Sequence, residues 1–119
     1  MNKRAIGNFY EDLACDYLRE NGILILQRNF RCKAGELDII GRDNTTTVVF
    51  EVKFRQTDDF GGALHAVDFK KQKKICKCAL IYCMLHPEIS ELRYDVIAIS
   101  KTKIDWIKNA FDHIGYRVY

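Results

Sequence analysis

The chain has 119 residues, 48% of them hydrophobic and 29% charged, with one proline and a net charge of only +3. Those values fit one soluble globular domain, residues 1–119, built on a single hydrophobic core. Glu11, Asp12 and Asp16 interrupt the N-terminal region before an apolar run develops, and no run elsewhere could span a bilayer, so a signal peptide and a membrane partner are excluded and a cytoplasmic setting is expected.

Residues 3–21 read as an amphipathic helix, because Phe9, Leu13 and Tyr17, with Ala14 and Leu18, recur at three- and four-residue spacing. Glu11 lies on the flank of that stripe, whereas Asp12, Asp16, Arg19 and Glu20 mark the exposed face. Asn21-Gly22 supplies a stop. Residues 23–30 (ILILQRNF) read as a strand, 32–35 as a turn, and 36–42 (ELDIIGR) as a second strand. On that strand Glu36, Asp38 and Ile40 share one face, and Leu37 and Ile39 the other. Asp43-Asn44 turns into a third strand, 46–55, with VVFEVKF at its centre. Alternation puts Val48, Phe50, Val52 and Phe54 on one face of it, and Val49, Glu51, Lys53 and Arg55 on the other.

A polar, glycine-bearing loop, QTDDFGG, follows. The next helix covers about 68–86 and ends near Pro87. Gln72 leads its sheet-facing series Ile75, Cys76, Ala79 and Cys83, with Lys70, Lys74 and Lys77 turned away. Residues 92–100 (LRYDVIAIS) form a fourth strand, 105–111 a short helix, and the tail HIGYRVY an edge strand. The order α-β-β-β-α-β defines a mixed sheet flanked by helices. The five cysteines, at 15, 32, 76, 78 and 83, are odd in number and form no CxxC pair, so they read as reduced thiols acting as small hydrophobes.

Charge interrupts this pattern in a telling way. Burying Glu51 or Lys53 alone is costly enough to shift its pKa until it neutralises. Asp38 and Glu51 lie on consecutive strands joined by a short turn, which pair, so their carboxylates converge. Converging carboxylates suit a hard divalent cation such as Mg²⁺, held by one or two acids, waters and phosphate oxygens. A cation so held lowers the pKa of bound water and stabilises charge on a phosphodiester. A neighbouring lysine can orient that water. Each piece also has a plain structural reading: Glu51–Lys53 as a same-face ion pair of about 0–1 kcal/mol, Asp38 as an ordinary strand acid, Glu11 as a flank residue, Gln72 as a cap. Lys70, Lys71, Lys73, Lys74 and Lys77 fall within eight residues, and Arg28, Arg31 and Lys33 cluster earlier. Such runs are either solvated faces or the grip on a polyanion.

The conjunction D-x12-E-x-K, from Asp38 through Glu51-Val52-Lys53, resembles the PD-(D/E)xK nuclease superfamily. More closely, the chain resembles the YraN family of small bacterial proteins, through GNFYEDLACDYL, Asn21-Gly22, Arg28-Asn29, GELDII, FEVKFR, Ala66-Val67-Asp68 with Lys71-Gln72, Arg93-Tyr94-Asp95-Val96 and Asn109-Ala110-Phe111. The resemblance implies an α/β, restriction-endonuclease-like fold related to Holliday-junction resolvases. It implies that Asp38, Glu51 and the Val52 carbonyl hold Mg²⁺, or Mn²⁺ in its place, that Lys53 acts on the water, and that Glu11 and Gln72 complete the site. Arg55, Lys70, Lys71, Lys73, Lys74 and Lys77 would contact nucleic acid, and resolvase-like relatives imply a homodimer. Leu37 stands where the superfamily name has proline, and Lys70 where relatives often carry arginine, which keeps charge without bidentate phosphate binding. Asp95 reads as structural.

The expected function is metal-dependent hydrolysis of DNA, branched or damaged DNA included. The alternative is a non-catalytic nucleic-acid-binding or assembly protein on the same fold. RNA ranks below DNA, since no RNA-recognition motif or base-stacking signature stands out.

Overall fold

A computed structural model describes residues 2–56 and 67–119. The expected QTDDFGG loop lies outside them from residue 57 onward. Helix α1 (Lys3–Glu20) starts where the Asn2 side chain accepts the Ala5 amide at 2.8 Å. It stops at Asn21, followed by Gly22 with φ of 86°, a conformation open to glycine without strain. Strands β1 (Leu24–Cys32), β2 (Gly35–Asp43) and β3 (Thr46–Phe54) form an antiparallel meander. Helix α2 (Phe69–Leu85) then carries the chain to β4 (Leu92–Ile99), which lies parallel to β3, and β5 (Ile104–Phe111) returns antiparallel along the edge. A parallel neighbour requires such a crossover. The spatial order is β1-β2-β3-β4-β5.

This is the α/β arrangement expected of a restriction-endonuclease-like fold: one mixed sheet with a helix on each face. On one face Ala14, Cys15 and Leu18 of α1 pack with Ile39, Val48, Phe50, Ile97 and Ile99. On the other, Ile75, Cys76, Cys78, Ala79 and Tyr82 of α2 pack with Leu37, Ile40, Val49, Tyr94 and Val96. Cys15, Cys76, Cys78 and Cys83 are buried free thiols, and Cys32 is half-buried. Gly41 sits where β1 crosses closely: a Cβ there would come within 2.8 Å of Ile23 and 3.1 Å of the Leu24 carbonyl. Among the described residues no helix is long and apolar enough to cross a membrane.

Three expectations are corrected. Residues 104–111 are strand β5, not a short helix, and the tail from Asp112 onward adds no strand. The reason is a bulge. The β4–β5 register runs from Val96↔Ile107 to Tyr94↔Phe111, with Asn109 at φ of 53° between them. The irregularity gives Ile104, Ile107, Ala110 and Phe111 a helix-like spacing in sequence. The tail instead folds over the α2 side, where His113 Nδ1 lies 2.6 Å from the Tyr94 hydroxyl and the Ile114 amide donates to Cys76 Sγ at 3.4 Å. Finally, Leu37 and Ile39 do not share a face; they enter opposite cores. Opposite them Asn29 adopts φ of 55°, and the Asn29–Asp38 rung is missing from the register, which resets the alternation.

The bulge is held by Asp95, fully buried at 0% exposure. Its carboxylate accepts Arg93 Nε and Nη2 (both 2.9 Å), Trp106 Nε1 (2.9 Å) and the Asn109 amide (2.8 Å), the last being the donor the bulge frees. Arg93 also reaches Asp43 at 3.0 Å, tying β4 to the far end of β2. Asp95 is thus structural. Asp95→Ala takes two hydrogen bonds from the half-buried Arg93 guanidinium, which keeps Asp43, and leaves the Trp106 indole and the Asn109 amide unpaired, so it is expected to lower unfolding stability by about 3 kcal/mol. In a urea titration this appears as a lower midpoint with unchanged slope; a midpoint equal to that of the wild type would contradict the assignment.

Candidate functional site

The β2–β3 ladder runs from Asp43↔Thr46 to Ile39↔Phe50 and stops there. One residue further, the Val52 amide donates to Asp38 Oδ2 at 3.0 Å instead of to a backbone carbonyl. Asp38 is thereby turned across the strand end toward β3. Glu51, facing α2, is 2% exposed, and its Oε1 is buried without a hydrogen-bond partner among the described residues. Burial, then the charge of Asp38, pushes the Glu51 carboxyl up to about 8. Burial likewise raises Asp38. The two acids converge as the strand pairing requires.

Two lysines answer them. Among the described residues it is Lys71, not Lys53, that lies within ion-pair distance of Glu51, with Nζ 3.4 Å from Oε2. Burial would push Lys71 down, but the Glu51 carboxylate holds it above its ordinary value. Lys53 is pushed down to about 8, first by burial and then by Lys71 beside it. A cavity of about 260 Å³ joins the two acids and Lys71, lined by Gly35, Glu36, Asp38, Glu51, Lys71, Lys74 and Ile75.

Glu11 approaches from α1. It lies 3.8 Å from Arg28, which pairs more closely with Asp12 at 2.8 Å. With the Asn29 amide turned so that its nitrogen faces the acids, it reaches Glu11 Oε1 (3.0 Å) and Glu36 Oε1 (2.6 Å). Asn29 itself has a left-handed backbone, which asparagine tolerates. Burial first, then Asp38, raises Glu11 to about 7. A second cavity of about 410 Å³ opens on this side, lined by Arg4, Asn8, Glu11, Asn29, Arg31 and Glu36.

The expected site residues therefore separate into groups. Glu11, Asp38, Glu51 and Lys53 gather at one end of the sheet. Gln72 is engaged elsewhere: its Nε2 donates to the Val67 carbonyl at 2.9 Å, closing the first turn of α2. Lys74, expected to turn away from the sheet, lines the cavity with Lys71, since residues three apart on a helix share a face. Lys73 lies over the Phe69 ring, and with Lys77 borders a different, apolar cavity under the tail. Lys70 is exposed, and Arg55 is half-buried with its Nη1 donating to the Phe54 carbonyl at 3.4 Å. Sequence reasoning grouped Lys71 with the lysines expected to contact nucleic acid and missed its ion pair with Glu51. Asp68 accepts the Lys71 amide at 2.8 Å as the N-cap of α2. With that cap fixed, Lys71, Lys74, Ile75 and Cys78 fall on one helix face.

Residues 10–99 match the model of Uncharacterised protein family UPF0102, which is the YraN family. The chain belongs to that family. The UPF0102 protein of Aliivibrio fischeri (strain ATCC 700601 / ES114) is 45% identical over 114 residues, covering 92% of this chain and 93% of the relative. The UPF0102 protein of Lachnoclostridium phytofermentans is 41% identical over 117 residues, or 97% and 99% of the two chains. The UPF0102 protein of Herminiimonas arsenicoxydans is 38% identical over 110 residues, or 92% and 89%. The span matched to the UPF0102 model includes Glu11, Asp38, Glu51, Lys53 and Lys71.

Chemically, the end of the sheet presents oxygen donors with one lone pair set unsatisfied, an environment that a small hard cation satisfies. Among the described residues no three His, Cys, Asp or Glu side chains form a metal cluster, so side chains alone would leave most coordination positions to backbone, water or ligand oxygens. The raised Glu51 carboxyl also sets a pH dependence. The folded protein keeps a proton that the unfolded chain releases above about 4.5, so the contribution is complete below that pH and is lost as pH rises through about 8. Glu51→Gln removes this penalty, and its unfolding stability is expected to exceed that of the wild type by on the order of 2 kcal/mol at about pH 9 and to converge with it near about pH 4. Denaturant titrations at the two pH values measure the difference; parallel curves for the two proteins would contradict it.

Proposed function

We propose that this protein is a divalent-metal-dependent nuclease that hydrolyses DNA phosphodiesters. The observation that carries the reading is Glu51: a carboxylate 2% exposed, one oxygen unpartnered among the described residues, on a cavity that Asp38, Lys71 and Lys74 also line. A carboxylate kept only for packing would have its lone pairs satisfied.

Asp38 and Glu51, with the Val52 carbonyl, would hold Mg²⁺ or Mn²⁺, which when bound supplies Lewis-acid charge and a water of lowered pKa. Asp38 is already oriented for this by the Val52 amide. Lys53, with its pKa lowered to about 8, is placed to hold the attacking water and to lend or take its proton near neutrality. Lys71 and Lys74 face the cavity as phosphate ligands, and Arg4 and Arg31 offer charge on the α1 side. A strand of nucleic acid crossing the end of the sheet would then meet cations before and after the acids.

The test is a cleavage assay on linear, single-stranded, flapped and four-way-junction DNA with Mg²⁺ or Mn²⁺. Wild type is expected to cut at least one substrate, chelation to stop it, and Asp38→Ala and Lys53→Ala each to reduce the rate by about 10²–10³-fold with the fold retained. Salt-sensitive binding without cleavage by the wild type would replace this reading with a non-catalytic nucleic-acid-binding protein.

A further inference from the structure

Two of the five thiols face each other across the α2 side of the sheet. Cys32, the last residue of β1, places its Sγ 3.0 Å from the Sγ of Cys78 on α2, although 46 positions separate them in sequence. A disulfide spans about 2.05 Å, so the two sulfurs stand about 1 Å short of bonding. The Ala34 amide donates to Cys32 Sγ at 3.2 Å, and the Cys78 thiol donates toward the Gly35 carbonyl at 3.6 Å. Both sulfurs are thereby held in the hairpin turn between β1 and β2.

The two thiols are unequal. Cys32 is half-buried, whereas Cys15, Cys76, Cys78 and Cys83 are all buried. Burial first, and then the hydrogen bond with Cys32, pushes the Cys78 thiol up to about 12. A small oxidant therefore meets Cys32 first, with Cys78 waiting behind it. Oxidation selects the thiol that solvent reaches, and a second thiol held beside it resolves the product. Cys15, Cys76 and Cys83, each at most 2% exposed, are closed to the same oxidant.

The place of the pair gives such a bond a consequence. Gly35 and Glu36, just after Cys32, line the candidate-site cavity from the turn. Lys71, Lys74 and Ile75, within two helical turns before Cys78, line it from α2. A covalent link between Cys32 and Cys78 joins these two walls.

We propose that Cys32 and Cys78 form a dithiol that a hydroperoxide oxidises, and that the resulting disulfide clamps the β1–β2 turn to α2 beside the cavity. The Cys32 thiolate attacks one peroxide oxygen: an S–O bond forms, the O–O bond breaks, and the departing hydroxide takes up the proton that the thiol released. Cys78 Sγ then attacks Cys32 Sγ. The S–S bond forms, the S–O bond breaks, and the second hydroxide leaves with the Cys78 proton as water. Two thiols lose two electrons, and hydrogen peroxide gains them to become two waters. A thiol reductant reverses the bond, as a transient, redox-sensing disulfide requires. The oxidation does not depend on the cavity being a nuclease site.

The experiment treats reduced wild type and Cys32→Ser with a few equivalents of hydrogen peroxide, alkylates the remaining thiols after unfolding, and maps every cysteine by mass spectrometry. Wild type is expected to lose two hydrogens within one chain, to yield a Cys32–Cys78 cross-linked peptide with the other three cysteines alkylated, and to recover all five thiols with dithiothreitol. Cys32→Ser is expected to keep its four thiols. The oxidised wild type is expected to melt about 10 °C above the reduced protein, and its amides in 32–36 and 71–78 to exchange more slowly. Five free thiols after peroxide, sulfinic acid on Cys32, a disulfide between two chains, or equal oxidation of Cys15, Cys76 and Cys83 would overturn the dithiol. A Cys32–Cys78 bond that leaves exchange in both cavity walls unchanged would overturn the clamp. The nuclease reading stands or falls separately, on the cleavage assay.

Discussion

The organising constraint of this molecule is the early end of the β2–β3 ladder. Regular pairing stops at Ile39↔Phe50, and the next backbone donor, the Val52 amide, is taken by the Asp38 side chain. A backbone amide at a strand end needs an acceptor. Supplying it from a carboxylate fixes the direction of Asp38 without a dedicated side-chain partner. It also brings a negative charge to the face on which Glu51 is buried, and the arrangement of Lys71, Lys53 and Glu11 follows from having to balance that charge. Four elements, α1, β2, β3 and α2, therefore converge on one end of the sheet, each contributing one or two polar side chains from an otherwise apolar surface.

Much of this was legible in the sequence because its signals are local and periodic. The stripe on α1 and the alternation of VVFEVKF locate their elements to within a residue or two. The convergence of Asp38 and Glu51 follows from two strands and a tight turn. Three kinds of information were not legible. The β4–β5 bulge at Asn109 displaces the strand period and imitates a helix. The positive φ at Asn29 resets β2, because a single left-handed residue on one strand can remove a rung from its partner. The role of Lys71 depends on which of five closely spaced lysines the helix phase points toward Glu51, and the packing of Ile75, Cys78 and Ala79 on the sheet sets that phase.

The chain contains its own comparison for reading Glu51. Two acids are buried in adjacent strands: Asp95 in β4 and Glu51 in β3, with Phe50↔Asp95 and Glu51↔Val96 as successive rungs. Asp95 is surrounded by a bidentate guanidinium, an indole N–H and a backbone amide, so both its oxygens are occupied by donors from its own chain. Among the described residues Glu51 has one half-exposed lysine on one oxygen and no hydrogen-bond partner on the other. The same sheet thus shows what a buried carboxylate looks like when it serves the fold, and Glu51 departs from it in the direction a ligand would correct. An unsatisfied buried oxygen lowers stability by roughly 1–3 kcal/mol. The Asp95 network, one strand away and complete, offsets such a loss by locking β4 to β5 and β2. Stability and the candidate chemistry are thereby assigned to different carboxylates on successive rungs of one pair of parallel strands.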